Sequence, residues 1–169
     1  MTGRASSTRP SKTDAVLKLV VAAERAVISG LMASIVLLTL AQVLFRYVLN
    51  SPLGWSEELS RYAFVWVTFV GAAVLLRRRD GHPAVDSLHQ SVGPRARQAI
   101  DALSRFAVVV ASLSVSAGGL RLLSLQWHEL SPSIEVPMAA VYSCMFLCPL
   151  WGVFWVLWSA RHGPVEDGA

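Results

Sequence analysis

The sequence predicts an all-α integral membrane protein with four transmembrane helices, and three observations lead to that prediction. First, the 169-residue chain is 54% hydrophobic and only 15% charged, with a mean hydropathy of +0.50, whereas a soluble domain usually carries about 25% charged residues. Second, the charge deficit is concentrated in four long uncharged runs. Third, the basic residues flank those runs, so a membrane explains the net charge of +4 better than nucleic acid does.

The uncharged runs have lengths that suit membrane helices. They cover residues 26–45, 63–76, 106–120 and 136–160, which are 20, 14, 15 and 25 residues. A helix needs about 20 residues to cross the hydrocarbon core. The first and last runs suffice alone, and the middle two suffice if their flanking arginines extend toward the headgroups. The last run has no polar face for water, which argues against a soluble helix bundle.

The distribution of basic residues predicts the orientation. Twelve of the 15 lie in segments 1–25, 77–105 and 161–169, and three lie in 46–62 and 121–135. Basic residues accumulate on the cytoplasmic side of membrane proteins. We therefore expect both termini to be cytoplasmic and the two arginine-poor loops to face outward.

The chain divides into three predicted regions. Residues 1–13 are rich in Ser, Thr and basic groups and are expected to be a disordered cytoplasmic tail. Residues 14–160 form the four-helix membrane domain, and 161–169 form a second cytoplasmic tail. Segment 14–25 is predicted to be an amphipathic lead-in to the first helix, and segment 96–103 an amphipathic helix along the inner interface.

The middle of each predicted span lacks Asp, Glu, Lys, Arg and His. Intramembrane ionisable residues mark proton and ion pathways, so this chain is not expected to move a substrate by itself. A self-sufficient small exporter would need a carboxylate inside the first span. A haem-binding bundle would need histidines within its helices, and all four histidines lie in predicted loops or tails. We predict no cofactor and no enzymatic activity.

Two pairs of residues have the spacing of a chemical site but are better explained by structure. Cys144 and Cys148 are four apart on the last span, and two thiols on one helix are poorly placed for a disulfide and too few for zinc. We interpret them as packing residues, which argues against a membrane redox enzyme. His82 and Asp86 have metal-ligand spacing, but they sit in an open loop interrupted by Pro83, and a structural role is favoured.

The first outward loop and the helix after it are dense in polar and aromatic residues. A structural interpretation places Glu57 and Glu58 in a helix first turn, where the dipole favours anions, with Glu57 and Arg61 as an i,i+4 pair. A functional interpretation makes the segment a docking surface for another protein. Sequence alone leaves both open. The residues concerned are Arg46, Tyr47, Asn50, Pro52, Trp55, Glu57, Glu58, Arg61, Tyr62 and Trp66.

Small residues are placed where membrane helices would pack closely. Such residues let two backbones approach each other. They include the patch Gly71, Ala72 and Ala73, and the pairs Gly30/Ser34, Ser112/Ser116 and Ser114/Gly118.

The segment FRYVLNSPLGWSEELSR at residues 45–61 resembles the signature of the DctQ-type small membrane subunit of tripartite ATP-independent periplasmic (TRAP) transporters. The similarity spans about residues 20–158. Weaker matching features are Phe64-Val65-Trp66, Gly71-Ala72-Ala73, His82-x-x-Val85-Asp86, Ser131-Pro132, Pro137-Met138, Tyr142 and Pro149. Two positions depart from the pattern: Pro83 replaces an aliphatic residue, and Glu135 lies near a position often held by Gly.

The resemblance implies a small permease subunit in the bacterial inner membrane. Its implied partners are a large membrane subunit, which holds the substrate and sodium sites, and a periplasmic binding protein; membrane lipid surrounds it, and no nucleic acid is involved. Substrates of such systems are commonly organic acids. The small subunit would brace the large one and help to dock the binding protein.

The resemblance also suggests roles for individual residues. Candidates for the outer docking surface are Trp55, Glu57, Glu58, Arg61 and Glu135. Arg46 and Asn50 would fix the turn after the first helix, and Gly71, Ala72 and Ala73 would pack on the large subunit. The alternatives are a scaffold subunit of another membrane complex, which the physical pattern fits equally well, and a self-sufficient exporter.

Overall fold

The computed structural model describes residues 12–77 and 93–162. Within these ranges the chain forms four helices, each long and apolar enough to cross a membrane, which confirms the predicted fold class. They are α1 (Lys12–Tyr47), α2 (Gly54–Arg77), α3 (Pro94–Leu125) and α4 (Met138–His162). Following the charge-based prediction, we call the end that carries the 48–53 and 126–137 connections the outer end, and the opposite end the inner end.

Local sequence explains where two of the helices begin. Pro94 occupies the first turn of α3 after Gly93, a position where proline's missing N–H costs nothing. Helix α2 begins at Gly54. Both the backbone N–H and the hydroxyl of Ser56 donate to the carbonyl of Leu53, at 3.2 and 2.7 Å, so this first turn is closed by Ser56.

The two amphipathic segments are continuous with the spanning helices. Segment 14–25 belongs to α1, which has 36 residues, and segment 96–103 belongs to α3, which has 32. At a rise of about 1.5 Å per residue, these helices are roughly 54 and 48 Å long, well beyond the ~30 Å hydrocarbon core. Both helices therefore extend past the core.

The four helices pack in the order α1–α2–α4–α3, with extensive contacts between each adjacent pair. Helix α4 is central and is the most buried of the four. Helix α1 is the least buried: among its described side chains only Val21 and Glu24 are buried. The architecture is thus a tight α2–α4–α3 unit with α1 attached along one side.

The core between α2 and α4 is built from small side chains. Ala73, Cys144 and Cys148 form its centre, with Met145 against them. A Cβ added to Gly152 would lie 2.7 Å from Cδ1 of Leu76, so this glycine permits the close approach of α2. Both cysteines are free and buried, which confirms their interpretation as packing residues.

Helices α3 and α4 approach even more closely. A Cβ on Gly119 would lie 2.7 Å from the carbonyl carbon of Met145 and 2.8 Å from the amide nitrogen of Phe146, both of which are backbone atoms. One turn earlier, the Ser116 hydroxyl donates to the Phe146 carbonyl at 2.9 Å. Ser116 therefore serves as a close-packing residue, together with Gly119 rather than the predicted Gly118.

Candidate functional site

The turn after α1 depends on a left-handed residue. Asn50 has φ 50°, a conformation that asparagine tolerates better than most residues. The chain reverses there, and the Ser51 N–H donates to the Phe45 carbonyl at 3.0 Å. Arg46 lies in the last turn of α1 with its guanidinium carbon 5.9 Å from the centre of the Tyr47 ring. Arg46 and Asn50 therefore lie at this turn, and the positive φ of Asn50 gives a conformational reason for asparagine there.

Glu58 is buried and its carboxylate is occupied within the chain. The Tyr62 hydroxyl donates to one oxygen, and the Ser133 backbone N–H donates to the other at 2.9 Å. The Tyr62 oxygen also lies 3.4 Å from the sulfur of Met138, the first residue of α4. We call Glu58, Tyr62 and Ser133 the outer clamp, because they join the start of α2 to the loop before α4.

The loop at residues 126–137 is closed by its own backbone bonds. The Ser131 N–H donates to the Val136 carbonyl at 2.9 Å, and the Met138 N–H donates to the Glu129 carbonyl at 2.9 Å. Glu135 has φ 53°, in the left-handed region where glycine carries no Cβ penalty. This geometry gives a physical reason why the family pattern, from which Glu135 departs, often has glycine near this position.

Four docking candidates are exposed at the outer end: Trp55, Glu57, Arg61 and Glu135. The predicted i,i+4 pair is confirmed, because Arg61 Nη2 lies 3.4 Å from Glu57 Oε1, with side-chain exposures of 70 and 64%. Glu58 differs from these candidates, because its carboxylate faces inward. Of the five docking candidates, Glu58 therefore makes contacts within the chain, and the other four are exposed.

An open groove runs between the first turns of α2 and the 126–137 loop. Its volume is about 530 Å³. Glu57 and Arg61 stand on its α2 side and Pro132 on its loop side, while Tyr62 and Tyr142 contribute aromatic rings. The three outer-clamp residues also line this groove, and their hydrogen bonds join its α2 side to its loop side.

The small-residue patch on α2 is split between two environments. Ala73 is buried against α4. Ala72 is exposed, and nothing lies within 4 Å of a Cβ built on Gly71. Ala73 therefore packs inside the chain, and only Gly71 and Ala72 remain available to another subunit.

A second polar cluster lies at the inner end and was not predicted from the sequence. Glu24 Oε1 accepts hydrogen bonds from the indole N–H groups of Trp151, at 2.6 Å, and Trp155, at 3.0 Å. Arg77 Nε lies 3.3 Å from Glu24 Oε2, and its guanidinium carbon is 5.6 Å from the Trp155 ring centre. We call these four residues the inner lock.

Arg77 corrects an expectation. The second span was predicted to lengthen by extending its flanking arginine toward the headgroups, but Arg77 is 1% exposed and turns inward to Glu24. Glu24 itself had been assigned to the cytoplasmic lead-in. A signal was present, because Leu17, Val21, Glu24 and Ile28 follow the i, i+4, i+7, i+11 spacing of one helix face.

The remaining candidates offer no site in the described structure. His82 and Asp86, which have metal-ligand spacing, lie outside the described residues. Within residues 12–77 and 93–162, no group of three or more His, Cys, Asp or Glu side chains is placed to hold a metal ion.

Comparison with known proteins identifies the family. Residues 35–162 match the sequence model of the family described as "Tripartite ATP-independent periplasmic transporters, DctQ component". The Vibrio cholerae sialic acid TRAP transporter small permease protein SiaQ is 28% identical over 128 residues, covering 75% of this chain and 70% of SiaQ. The V. cholerae C4-dicarboxylate TRAP transporter small permease protein DctQ is 33% identical over 75 residues, or 44% and 32% of the two chains.

A longer relative matches a shorter stretch. The Haemophilus influenzae sialic acid TRAP transporter permease protein SiaT is 39% identical over 59 residues. That stretch is 35% of this chain and 9% of SiaT.

Proposed function

This chain belongs to the DctQ family of TRAP transporter components, and from that membership we propose that it braces the large permease subunit and helps to dock the binding protein of a sodium-coupled organic-acid importer. Family membership makes it a transporter permease subunit and a multi-pass inner-membrane protein, not an enzyme. Its partners are the large permease and a binding protein. The sodium coupling, the substrate class, the docking role and the cytoplasmic position of both termini are parts of the proposal.

The observation that best supports a bracing role is that α2 is fastened at both ends. Glu58 of the outer clamp and Arg77 of the inner lock are 19 residues apart on α2, or about 28 Å along the helix. That distance is close to the thickness of the hydrocarbon core. Between these two polar contacts, α2 packs on α4 through small side chains that leave little room for sliding. A unit fixed in this way resists bending when a neighbouring subunit moves.

The outer end supports a docking role because some of its residues hold the loop in place and others remain exposed. The outer clamp holds the 126–137 loop beside α2. Trp55, Glu57, Arg61 and Glu135 are exposed at this end, and Glu57 and Arg61 line the groove. Aromatic and arginine side chains are enriched among the residues that dominate protein interfaces. Exposed charges of both signs steer a partner and fix its orientation more than they add affinity.

The substrate class is proposed from the relatives. The names of SiaQ and the V. cholerae DctQ specify sialic acid and C4-dicarboxylates, both of which are carboxylates. We propose an organic acid for the transporter of this chain.

The exporter alternative requires an accessible carboxylate within the membrane. Glu24 is the buried carboxylate nearest to the first span, but two indole donors and Arg77 occupy its oxygens. The apolar run 26–45 has no acidic residue. These observations favour the role of a supporting subunit over that of an independent exporter.

The test is reconstitution with matched omissions. The chain is first co-purified with its large subunit. Liposomes then receive the large subunit with or without this chain, the binding protein is added outside, and uptake of a panel of labelled organic acids is measured under an imposed sodium gradient. Uptake that requires all three proteins and the gradient supports the proposal. Full uptake without this chain would refute the bracing and docking roles, and failure to co-purify would favour a scaffold of another complex.

A further inference from the structure

We propose that the inner lock is the contact that fixes helix α1 to the α2–α4 pair, with Glu24 as the positioning residue. The family match begins at residue 35, so Glu24 lies outside the matched region. Its role is inferred from the geometry of this chain.

Helix α1 packs on α2, but its apolar packing is shallow. Over residues 26–47 no side chain is fully buried, and one helix face carries half-buried apolar side chains, among them Ile28, Leu31, Ile35, Leu38 and Phe45. The buried residues of its described part are Val21 and Glu24, one turn apart near the inner end. Full burial on α1 is confined to this turn, so the polar contacts there add a fixed point to the half-buried apolar face.

Glu24 connects α1 to two other helices at once. Its Oε1 accepts the indole N–H groups of Trp151 and Trp155 from α4, and its Oε2 faces Arg77 of α2. Trp155 and Arg77 are each 1% exposed and lie inside the helix interface, whereas Trp151 is 40% exposed and lies at its edge. Hydrogen bonds to a charged acceptor are stronger than neutral ones, and more so where water is excluded.

Hydrogen bonds are directional, so they restrict the rotation and sliding of a helix more than apolar contacts do. Apolar packing alone allows a helix to rotate or to slide by a residue, which is a shift of about 1.5 Å. In the inner lock, two donors converge on one carboxylate oxygen and a guanidinium lies beside the other. This arrangement allows α1 only a small rotation about its axis and a small shift along it. The inner lock therefore sets the register of α1, and with it the position of the unburied apolar surface over 26–47.

The first arm of the test measures the register in the full chain in lipid nanodiscs. Exposed Leu37 of α1 and Leu157 of α4 are each replaced by an unnatural amino acid that carries a spin label. Pulsed electron–electron double resonance then gives the distribution of distances between the two labels. We expect one narrow distribution in the parent. Glu24→Ala should at least double its width, and Trp151→Phe, which removes one donor and keeps an aromatic ring, should widen it less. Glu129→Gln, at an exposed acidic residue far from the lock, is the charge control and should leave it unchanged.

A reference label pair keeps the result interpretable. Labels at exposed Phe64 of α2 and Leu147 of α4 report on the pair that the proposal leaves intact, so their distribution should not change in any variant. If Glu24→Ala also disturbs this reference pair, the α1–α4 distribution is measured instead in Trp151→Phe and Trp155→Phe, which test the lock by removing one donor each. An unchanged α1–α4 distribution in a variant whose reference pair is intact would overturn the proposal.

The second arm measures the consequence for transport, and it rests on the proposed function. Glu24→Gln, which keeps an acceptor and loses the charge, should still co-purify with the large subunit but lower reconstituted uptake at least threefold. Uptake at the parental rate, with α1 shown to be displaced, would refute the transport consequence alone. The label arm does not depend on transport, so its failure is distinguishable from failure of the bracing role, which omission of the whole chain tests.

Discussion

The carboxylate of Glu58 accepts a hydrogen bond from the backbone N–H of Ser133 at 2.9 Å, although 75 residues separate the two in sequence. Tyr62, one turn further along α2, donates to the same carboxylate. A single acidic residue therefore holds the loop before α4 against the start of α2. Its neighbour Glu57 points to the surface, which divides an apparently redundant Glu-Glu pair into a structural and an exposed member.

Removing the Glu58 carboxylate should release the 126–137 loop. Glu58→Ala leaves the Ser133 N–H without its acceptor, and this bond is partly buried, so its loss costs more than that of a fully exposed bond. We expect amide hydrogen exchange at residues 130–136 to accelerate about tenfold. Tyr62→Phe should have a smaller effect, because the Ser133 bond remains. Glu57→Ala is the matched control, and equal exchange in Glu58→Ala and Glu57→Ala would contradict the clamp.

The neighbouring glycines of α3 should respond differently to the same substitution. Gly119→Ala places a Cβ against the α4 backbone and should destabilise the fold by about 1–3 kcal/mol, the usual range for overpacking. Gly118→Ala meets nothing within 4 Å and should be neutral or slightly stabilising, since alanine is the better helix former. Unfolding by a denaturing detergent measures both. Equal stability of the two variants would show that α3 and α4 do not approach at Gly119.

The two left-handed residues should tolerate glycine better than alanine. Asn50→Ala and Glu135→Ala force a Cβ-bearing residue without a polar side chain into positive φ, and each should cost about 1 kcal/mol. Asn50→Gly and Glu135→Gly remove the backbone strain but loosen the unfolded chain, so their net effect should be close to zero. Detergent unfolding of the four variants provides the comparison. Alanine variants as stable as the glycine variants would argue against these turn conformations.

Arg61 should matter for docking and hardly at all for stability. Its pair with Glu57 is exposed on both sides, and exposed i,i+4 pairs contribute only about 0.3–0.5 kcal/mol. Arg61→Gln should therefore unfold like the parent, while the binding-protein concentration needed for half-maximal uptake rises several-fold. Arg121→Gln, at an exposed arginine on α3, is the control and should leave that concentration unchanged. A parental value for Arg61→Gln would remove Arg61 from the docking surface.

The cysteines should be dispensable for uptake. Cys144 and Cys148 are buried as free thiols in the α2–α4 core, and Cys144 Sγ lies 3.1 Å from the Val141 carbonyl. Serine at 144 can make the same contact, and alanine at 148 keeps a small apolar group there. The double variant Cys144→Ser, Cys148→Ala should take up substrate at a rate near that of the parent. Loss of uptake in a variant that unfolds like the parent would point to thiol chemistry.

Sequence reasoning succeeded where the signal was a property of long segments. The lengths of the apolar runs predicted four spanning helices, and the short spacing between Glu57 and Arg61 predicted their pairing. It did not find the inner lock. Glu24 lies beside Arg25 at the edge of an apolar run, and its charge favoured the amphipathic lead-in over a helix interface. Its spacing with Val21 on one helix face indicated burial, but the indole partners are more than 120 positions away.

For a related reason, the sequence could not predict that Glu58 is buried while Glu57 is exposed. Both residues fit a helix first turn equally well. Only the position of Ser133 in three dimensions decides which carboxylate turns inward. Likewise, the patch at Gly71, Ala72 and Ala73 showed that a close contact was available, but not that Ala73 uses it for α4 within the same chain.

The central claim is that this chain supports a transporter whose substrate path lies in another subunit. Sodium-driven uptake of labelled organic acid into liposomes tests it most directly, with the large subunit and the binding protein held constant and this chain present or omitted. The claim predicts rapid uptake with the chain, uptake reduced at least tenfold without it, and no uptake by the chain alone. Equal uptake in its presence and absence, or uptake by the chain alone, would contradict it.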